Sequence, residues 1–276
     1  MKNIHPILQK KLYIFDMDGT IYLGNRVFDF AVRFINNLRK SDRQVLFFTN
    51  NASHTSEFYF DKLSRLGFSP KKDEIMTSGD VTIEFLKRYR SGQYVYLVGT
   101  DELVDSFKSN GIALVGHDAT KADIVVTSFD TSLTYQKLDN ACRFIRNGAE
   151  YLSTHPDYNC PTEDGFIPDS GAIAAFVTAS TGKTPTYFGK PYRETLDMIQ
   201  QAYGVRHEDM CIFGDRLYTD IALGKKHGVC SVLVLTGEST LQDVENANET
   251  DKPDYVFSSL ANVDELLTKE EDNHGI

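Results

Sequence analysis

Several short apolar runs in this chain end in residues able to do phosphate chemistry. Leu12 to Phe15 ends in Asp16-Met17-Asp18-Gly19-Thr20, and Met210 to Phe213 ends in Gly214-Asp215 with Asp220 five residues on. Val45 to Phe48 ends in Thr49-Asn50-Asn51, and Tyr187-Phe188 ends in Gly189-Lys190. Strand-end acids, a hydroxyl, two amides and a lysine make a set suited to a hard cation beside a phosphate. Mg²⁺ prefers oxygen ligands and takes a few carboxylates while keeping waters and a phosphate oxygen. Asp16 and Asp215 are the expected direct ligands, the Asp18 backbone carbonyl a third, with Asp220 orienting the shell. Without a cation these acids and an incoming phosphate would repel one another. A carboxylate in line with phosphorus can act as a nucleophile and form an aspartyl-phosphate. Asp18, two residues past Asp16, is placed to protonate a leaving alcohol and then activate water. Lys190 and the Thr49 hydroxyl would hold the equatorial oxygens, where transition-state charge spreads. The Asn50 and Asn51 amides are further candidate phosphate contacts, though Asn51 serves equally well as a turn residue.

Elements must bring these groups together. Ala31, Phe34, Ile35 and Leu38 are spaced as one helix face, and Phe60, Leu63 and Leu66 as another, ending at Gly67. Apolar runs recur at Ile75-Met76, Tyr94 to Val98, Ile124 to Val126 and Val232 to Leu235. Runs apolar on both faces and separated by helices predict a parallel sheet covered on both sides. In such sheets ligands bind beyond the carboxyl ends of the strands, where the acids, Thr49 and Lys190 stand.

The remaining composition bounds the function. The 276 residues carry 29 basic and 39 acidic side chains, a net charge of −10, which argues against nucleic acid as a bulk partner. Disordered and fibrous classes are excluded by 41% hydrophobic content. Cys142, Cys160, Cys211 and Cys230 have no metal or disulfide spacing and are expected as reduced thiols of a cytoplasmic protein. Met1 to Lys11 lacks a signal-peptide run, and Ser170 to Gly182 is too short to span a bilayer, so no membrane partner is expected. Ser180 to Thr184 resembles the end of a Walker A loop, but Val177 stands where that loop needs glycine. The closing Lys269-Glu270-Glu271-Asp272 is expected as a solvated tail.

In order along the chain, Asp16-x-Asp18-Gly-Thr, Thr49, Lys190 and Gly214-Asp215 with Asp220 resemble the four motifs of the haloacid dehalogenase superfamily of phosphohydrolases. The forms Thr-Asn-Asn, Gly-Lys-Pro and Gly-Asp-Arg-x-x-Thr-Asp are similar to those of its NagD-type branch, the p-nitrophenyl and nucleotide phosphatases. The resemblance extends to His155-Pro156-Asp157 and Gly171-Ala-Ile-Ala-Ala. It implies a Rossmann-like α/β core with a large inserted α/β cap, an aspartyl-phosphate mechanism with Mg²⁺, small phosphate esters as substrates, and frequently a homodimer.

Residues 1–80 and 184–276 are then the expected core, and 81–183 the insertion. That insertion has its own alternation: Tyr94 to Val98, a helix from Asp101, Ile112 to Val115, Ile124 to Val126, a helix with Leu138, Cys142 and Ile145, then Tyr151-Leu152 and Ile173 to Val177. Its length is a normal domain size. His155 lies within it and is the expected cap contact to substrate. The substrates in view are sugar phosphates, nucleoside monophosphates and p-nitrophenyl phosphate. Rival readings are a phosphotransferase or mutase on the same phospho-aspartate, or a catalytically silent phosphate-binding regulator. Retention of Asp16, Asp18, Lys190 and Asp215 argues against the latter.

Overall fold

The computed structural model describes residues 5–162 and 165–265, so the acidic tail at Lys269 to Asp272 lies outside the described residues. In chain order the strands begin β1 (Leu12–Phe15), β2 (Tyr22–Leu23), β3 (Arg26–Val27), β4 (Gln44–Thr49), β5 (Ile75–Thr77), β6 (Val95–Val98) and β7 (Ile124–Thr127). They continue as β8 (Glu150–Ser153), β9 (Asn159–Thr162), β10 (Gly165–Pro168), β11 (Thr186–Tyr187), β12 (Met210–Gly214), β13 (Cys230–Val234) and β14 (Tyr255–Phe257). Six of them form a sheet of order β14-β13-β12-β1-β4-β5. Four more form a second sheet, β11-β8-β7-β6, parallel throughout. The architecture is the expected α/β class, with parallel strands alternating with helices.

The first sheet is parallel because its strands are apolar on both faces. β1, β12 and β13 are buried along their whole lengths, so helices must cover each side. Phe15 stacks on Phe213 with ring centroids 4.9 Å apart, and Phe34 meets each edge-on at 5.9 Å. Phe34 comes from the helix Asp29–Lys40, which buries Ala31, Phe34, Ile35 and Leu38 as their spacing predicts. Truncating Phe213 to alanine would cost about 3–5 kcal/mol by opening a cavity in this cluster.

Two compact units make up the chain: Met1–Phe48, Phe60–Ile75 and Ile199–Ile276 in one, Thr49–Tyr59 and Met76–Met198 in the other. Residues 81–183 fall within the second unit, which extends past them on both sides. One reason is β11, which pairs with β8 through Thr186↔Leu152 and Tyr187↔Ser153. Tyr187-Phe188 therefore leads into Lys190 from the second sheet and not from the first, a correction to its reading as a strand of the core. The second core packs Tyr96, Val98 and Val125 against Ala141, Phe144 and Ile145. Ile112 to Val115 makes only an isolated bridge, Leu114 to Val95. Ile173 to Val177 is helical, inside Ser170–Thr181: Asp169 caps its start, alanines favour its interior, and Gly182 at φ 69 ends it. Among the described residues no helix is long and apolar enough to cross a membrane.

Candidate active site

The first unit gathers the acids. Past β1 the chain turns at once: the Thr20 and Ile21 N–H groups donate to the Met17 carbonyl at 3.2 and 3.0 Å, and Gly19 N–H donates to Tyr22 O at 2.7 Å. The β2–β3 hairpin completes the turn. Gly19 has φ +88, and a Cβ there would overlap the Asp215 carboxylate; a Cβ on Gly237 would do the same. Both glycines are required by this close approach, and Gly19 by its backbone as well.

Ligand oxygens of Asp16, Asp215 and Asp220 all lie within 4.8 Å of one another. Asp215 and Asp220 are buried and Asp16 half-buried. Asp215 Oδ2 accepts from the Glu238 N–H at 2.7 Å, whereas its Oδ1 is buried with no hydrogen-bond partner among the described residues. Burial, then the charges of Asp16 and Asp220, push the Asp215 carboxyl up to about 8, against the Glu238 N–H and Arg216. Three clustered carboxylates are unfavourable without a counter-charge, and an all-oxygen set with one unpartnered buried oxygen fits a hard divalent cation.

Asp220 sits in a π-helical turn, Leu217–Ile221, where its Oδ2 accepts from Arg216 N–H at 3.2 Å and Thr219 Oγ1 at 3.3 Å. It thus caps that turn and points at the cluster at once. Asp18 is exposed, its Oδ1 accepting from Gly24 N–H at 3.4 Å. The sequence reading missed the loop after β13. Thr236 Oγ1 donates to Gly19 O at 2.6 Å, and Glu238 pairs with Arg216 at 3.0 Å. Its signal was present: Val232 to Leu235 is one more apolar run ending in a hydroxyl and a glycine.

The second unit holds the remaining candidates. Thr49 closes β4 and is half-buried, its Oγ1 accepting from Asn51 N–H at 3.2 Å. Lys190 is only 2% exposed. Asn50 Oδ1 accepts from Lys190 N–H at 2.7 Å, while its Nδ2 donates to Lys190 O at 2.9 Å and to Asp157 Oδ2 at 3.1 Å. Both amide protons of the Asn50 side chain are engaged within the unit. Asn51 Oδ1 accepts from Ser53 N–H at 2.9 Å and Ser53 Oγ at 2.7 Å, the turn role open to it from the start.

His155 requires the plainest correction. Its side chain is fully buried, with Nε2 2.8 Å from Asp169 Oδ1 and Nδ1 2.9 Å from Thr154 Oγ1, so no nitrogen remains to meet a substrate. Burial disfavours the charged ring, but Asp169 and Asp157 outweigh it and hold its pKa above the usual value. Ligand atoms of His155, Asp157 and Asp169 lie within 4.8 Å of one another, yet hydrogen bonds inside the unit satisfy the histidine and Asp169.

Residues 13–113 match the family model described as haloacid dehalogenase-like hydrolase, and residues 187–263 match a HAD-hydrolase-like model. The chain belongs to the haloacid dehalogenase-like hydrolase family. It is 35% identical over 252 residues to an acid sugar phosphatase of Staphylococcus aureus, covering 91% of this chain and 96% of that protein. The structure of a 4-nitrophenylphosphatase from Thermotoga maritima superposes with a TM-score of 0.88 at 40% identity, over 95% of this chain and 98% of that one. A glycerol phosphate phosphatase from Mycobacterium tuberculosis, in complex with calcium, superposes with a TM-score of 0.85 at 28% identity, over 93% of this chain and 75% of that one. Within the haloacid dehalogenase-like hydrolases the chain stands in the NagD-type, 4-nitrophenylphosphatase branch, and its enzyme class is phosphoric monoester hydrolase.

Proposed function

We propose that this protein hydrolyses small phosphate monoesters, sugar phosphates among them, through a phosphorylated Asp16, with Mg²⁺ as its cation. The observation that carries the reading is the buried Asp215 and Asp220 beside the half-buried Asp16, with the unpartnered Asp215 Oδ1 among their oxygens. The names of the relatives favour sugar and aryl phosphates as substrates. Asp16, Asp215 and the Asp18 carbonyl would hold the cation, which when bound neutralises the carboxylates and the phosphate charge.

The chain's own groups carry the steps. An Asp16 carboxylate oxygen attacks phosphorus, the ester P–O bond breaks, and Asp18 gives its proton to the leaving oxygen. Water then attacks the phosphorus of the acyl-phosphate, losing its proton to Asp18, and the P–O bond to Asp16 breaks to release inorganic phosphate. Lys190 and the Thr49 hydroxyl hold the equatorial oxygens through both displacements. A cytoplasmic homodimer is in keeping with the family resemblance, and none of the four cysteines forms a disulfide. Incubating the enzyme with labelled p-nitrophenyl phosphate and Mg²⁺, followed by acid quench and peptide mapping, should place the label on Asp16; label on any other residue refutes the mechanism.

A further inference from the structure

His155-Pro156-Asp157 and Gly171-Ala-Ile-Ala-Ala remain without a part in the reaction, yet Gly171 holds Asp157, and Asp157 reaches the backbone of Lys190 through Asn50. We propose that Asp157 is a positioning residue for phosphoryl transfer: through the Asn50 amide it fixes the main chain of Lys190 and therefore its ammonium. This inference rests on the phosphate-binding role proposed for Lys190.

The geometry leaves the Asn50 side chain one orientation. Lys190 N–H can only donate, so the amide oxygen must face it, and the carboxylate of Asp157 accepts, so the NH₂ must face that. The second amide proton goes to Lys190 O, so one side chain grips both polar groups of a single residue. The approach is close because Gly189, at φ +75, has no Cβ; one there would lie 2.7 Å from Asn50 Oδ1 and 2.8 Å from His155 Cβ.

Asp157 is held in turn by the start of the helix Ser170–Thr181. Gly171 N–H donates to Asp157 O at 2.7 Å, and Asp169 N–H donates to Tyr158 O at 3.0 Å. A Cβ on Gly171 would overlap Pro156 O, which explains a glycine in the first turn of an otherwise alanine-rich helix. Below this turn, Ser78 Oγ donates to Asn50 O and also lies 3.3 Å from His155 Nδ1. The closer partner of Nδ1 is Thr154 Oγ1 at 2.9 Å, while Nε2 faces Asp169 Oδ1 at 2.8 Å. The buried ring, held by Asp169, thus braces the Asn50 main chain through Ser78.

A lysine held on such a frame contributes to the transition state only while its ammonium stays in place, and a displacement of about 1 Å costs roughly 10²-fold in rate. The test is steady-state kinetics with Mg²⁺ on p-nitrophenyl phosphate and on an alkyl sugar phosphate, with inorganic phosphate as inhibitor. Asp157→Ala should lower kcat roughly 10²-fold, by the same factor on both esters, and weaken inhibition by phosphate. Asp157→Asn retains an acceptor oxygen and should recover most of the loss. Asp157→Glu keeps the charge but moves the acceptor by a methylene, and should not. In a Lys190→Met background, Asp157→Ala should change residual turnover by less than about threefold, because both changes act on one group.

Unchanged kcat in Asp157→Ala, better rescue by glutamate than by asparagine, or a second full penalty on top of Lys190→Met would each overturn the inference. Wild-type turnover by Lys190→Met would remove the proposed role of Lys190 and the clamp with it. A dead Lys190→Met beside an unimpaired Asp157→Ala removes the clamp alone. If Asp157→Ala fails to fold, the asparagine and glutamate variants carry the same comparison.

Discussion

Among the described residues there are two trios of metal-type ligands, each with its ligand atoms within 4.8 Å of one another, one in each unit. Asp16, Asp215 and Asp220 are all carboxyl groups, and Asp215 Oδ1 is buried without a hydrogen bond among the described residues. His155, Asp157 and Asp169 instead answer one another: a buried imidazole against Asp169, and Asp157 against the Asn50 amide. Proximity is alike, and charge balance is opposite. The all-acid trio leaves a buried Asp215 oxygen for a cation to meet, whereas the trio with a histidine is balanced within itself and suits a frame.

The largest effect that would sharpen this contrast is at Asp16. Asp16→Asn should lower turnover of p-nitrophenyl phosphate by about 10⁴-fold or more, since an amide cannot become the acyl-phosphate. The cation-free thermal midpoint should hold or rise, because one of three repelling charges is gone. Residual activity within tenfold of wild type would break the assignment.

Next comes Asp18→Asn, with a loss of roughly 10²- to 10⁴-fold. An alkyl phosphate, whose alkoxide leaves badly, should suffer more than the aryl ester, and the aryl ester should show a burst as the phospho-enzyme accumulates. Equal losses on both without a burst would show that Asp18 is not the acid and base.

Stability separates the two trios directly. Asp169→Asn removes the carboxylate that faces the buried His155 Nε2 and should cost roughly 1–3 kcal/mol in urea melts, with or without Mg²⁺. Asp215→Asn should cost nothing in the cation-free protein and abolish the rise in thermal midpoint that Mg²⁺ gives the wild type. If both substitutions destabilise alike, the distinction between the clusters fails.

Asp80 provides the smallest and most graded case. Burial raises its carboxyl to about 6, against hydrogen bonds from Thr77, with Glu57 and Glu84 adding to the rise. The folded state therefore holds the proton more tightly than the unfolded chain. The stability this contributes is fully present below about pH 4 and is lost as pH rises to about 6, at most about 3 kcal/mol because the side chain is only half-buried. Urea melts from pH 4 to 7 should show this fall in the wild type and a flatter curve in Asp80→Asn. A wild-type curve that rises over the interval by more than the variant's would reverse the sign and refute it.

Much of the candidate site was legible because its residues are defined locally. An apolar run ended by Asp-x-Asp-Gly-Thr, or by Gly-Asp with a further acid, identifies an oxygen-rich strand end without reference to the rest of the chain. The helix face Ala31, Phe34, Ile35 and Leu38 was legible for the same reason, since burial repeats with the turn of the helix. The inward-facing bonds of the Asn50 and His155 side chains were not legible, because a polar side chain near a strand end can face a ligand or the protein's own groups, and local sequence does not say which. The two-residue strand β11 carried too few side chains to indicate its sheet.

The sequence by itself determined the α/β class, the order of the chemical groups and the oxygen character of the candidate cation site. Those depend on residue type and on periods of two and 3.6, which are local. Only the tertiary structure decided which polar groups are already satisfied. The partners that settle this are far apart in the chain, Asn50 to Lys190 across 140 residues and Asp157 to Asn50 across 107. A hydrogen bond needs its atoms within about 3 Å, and at such separations the fold alone sets that distance.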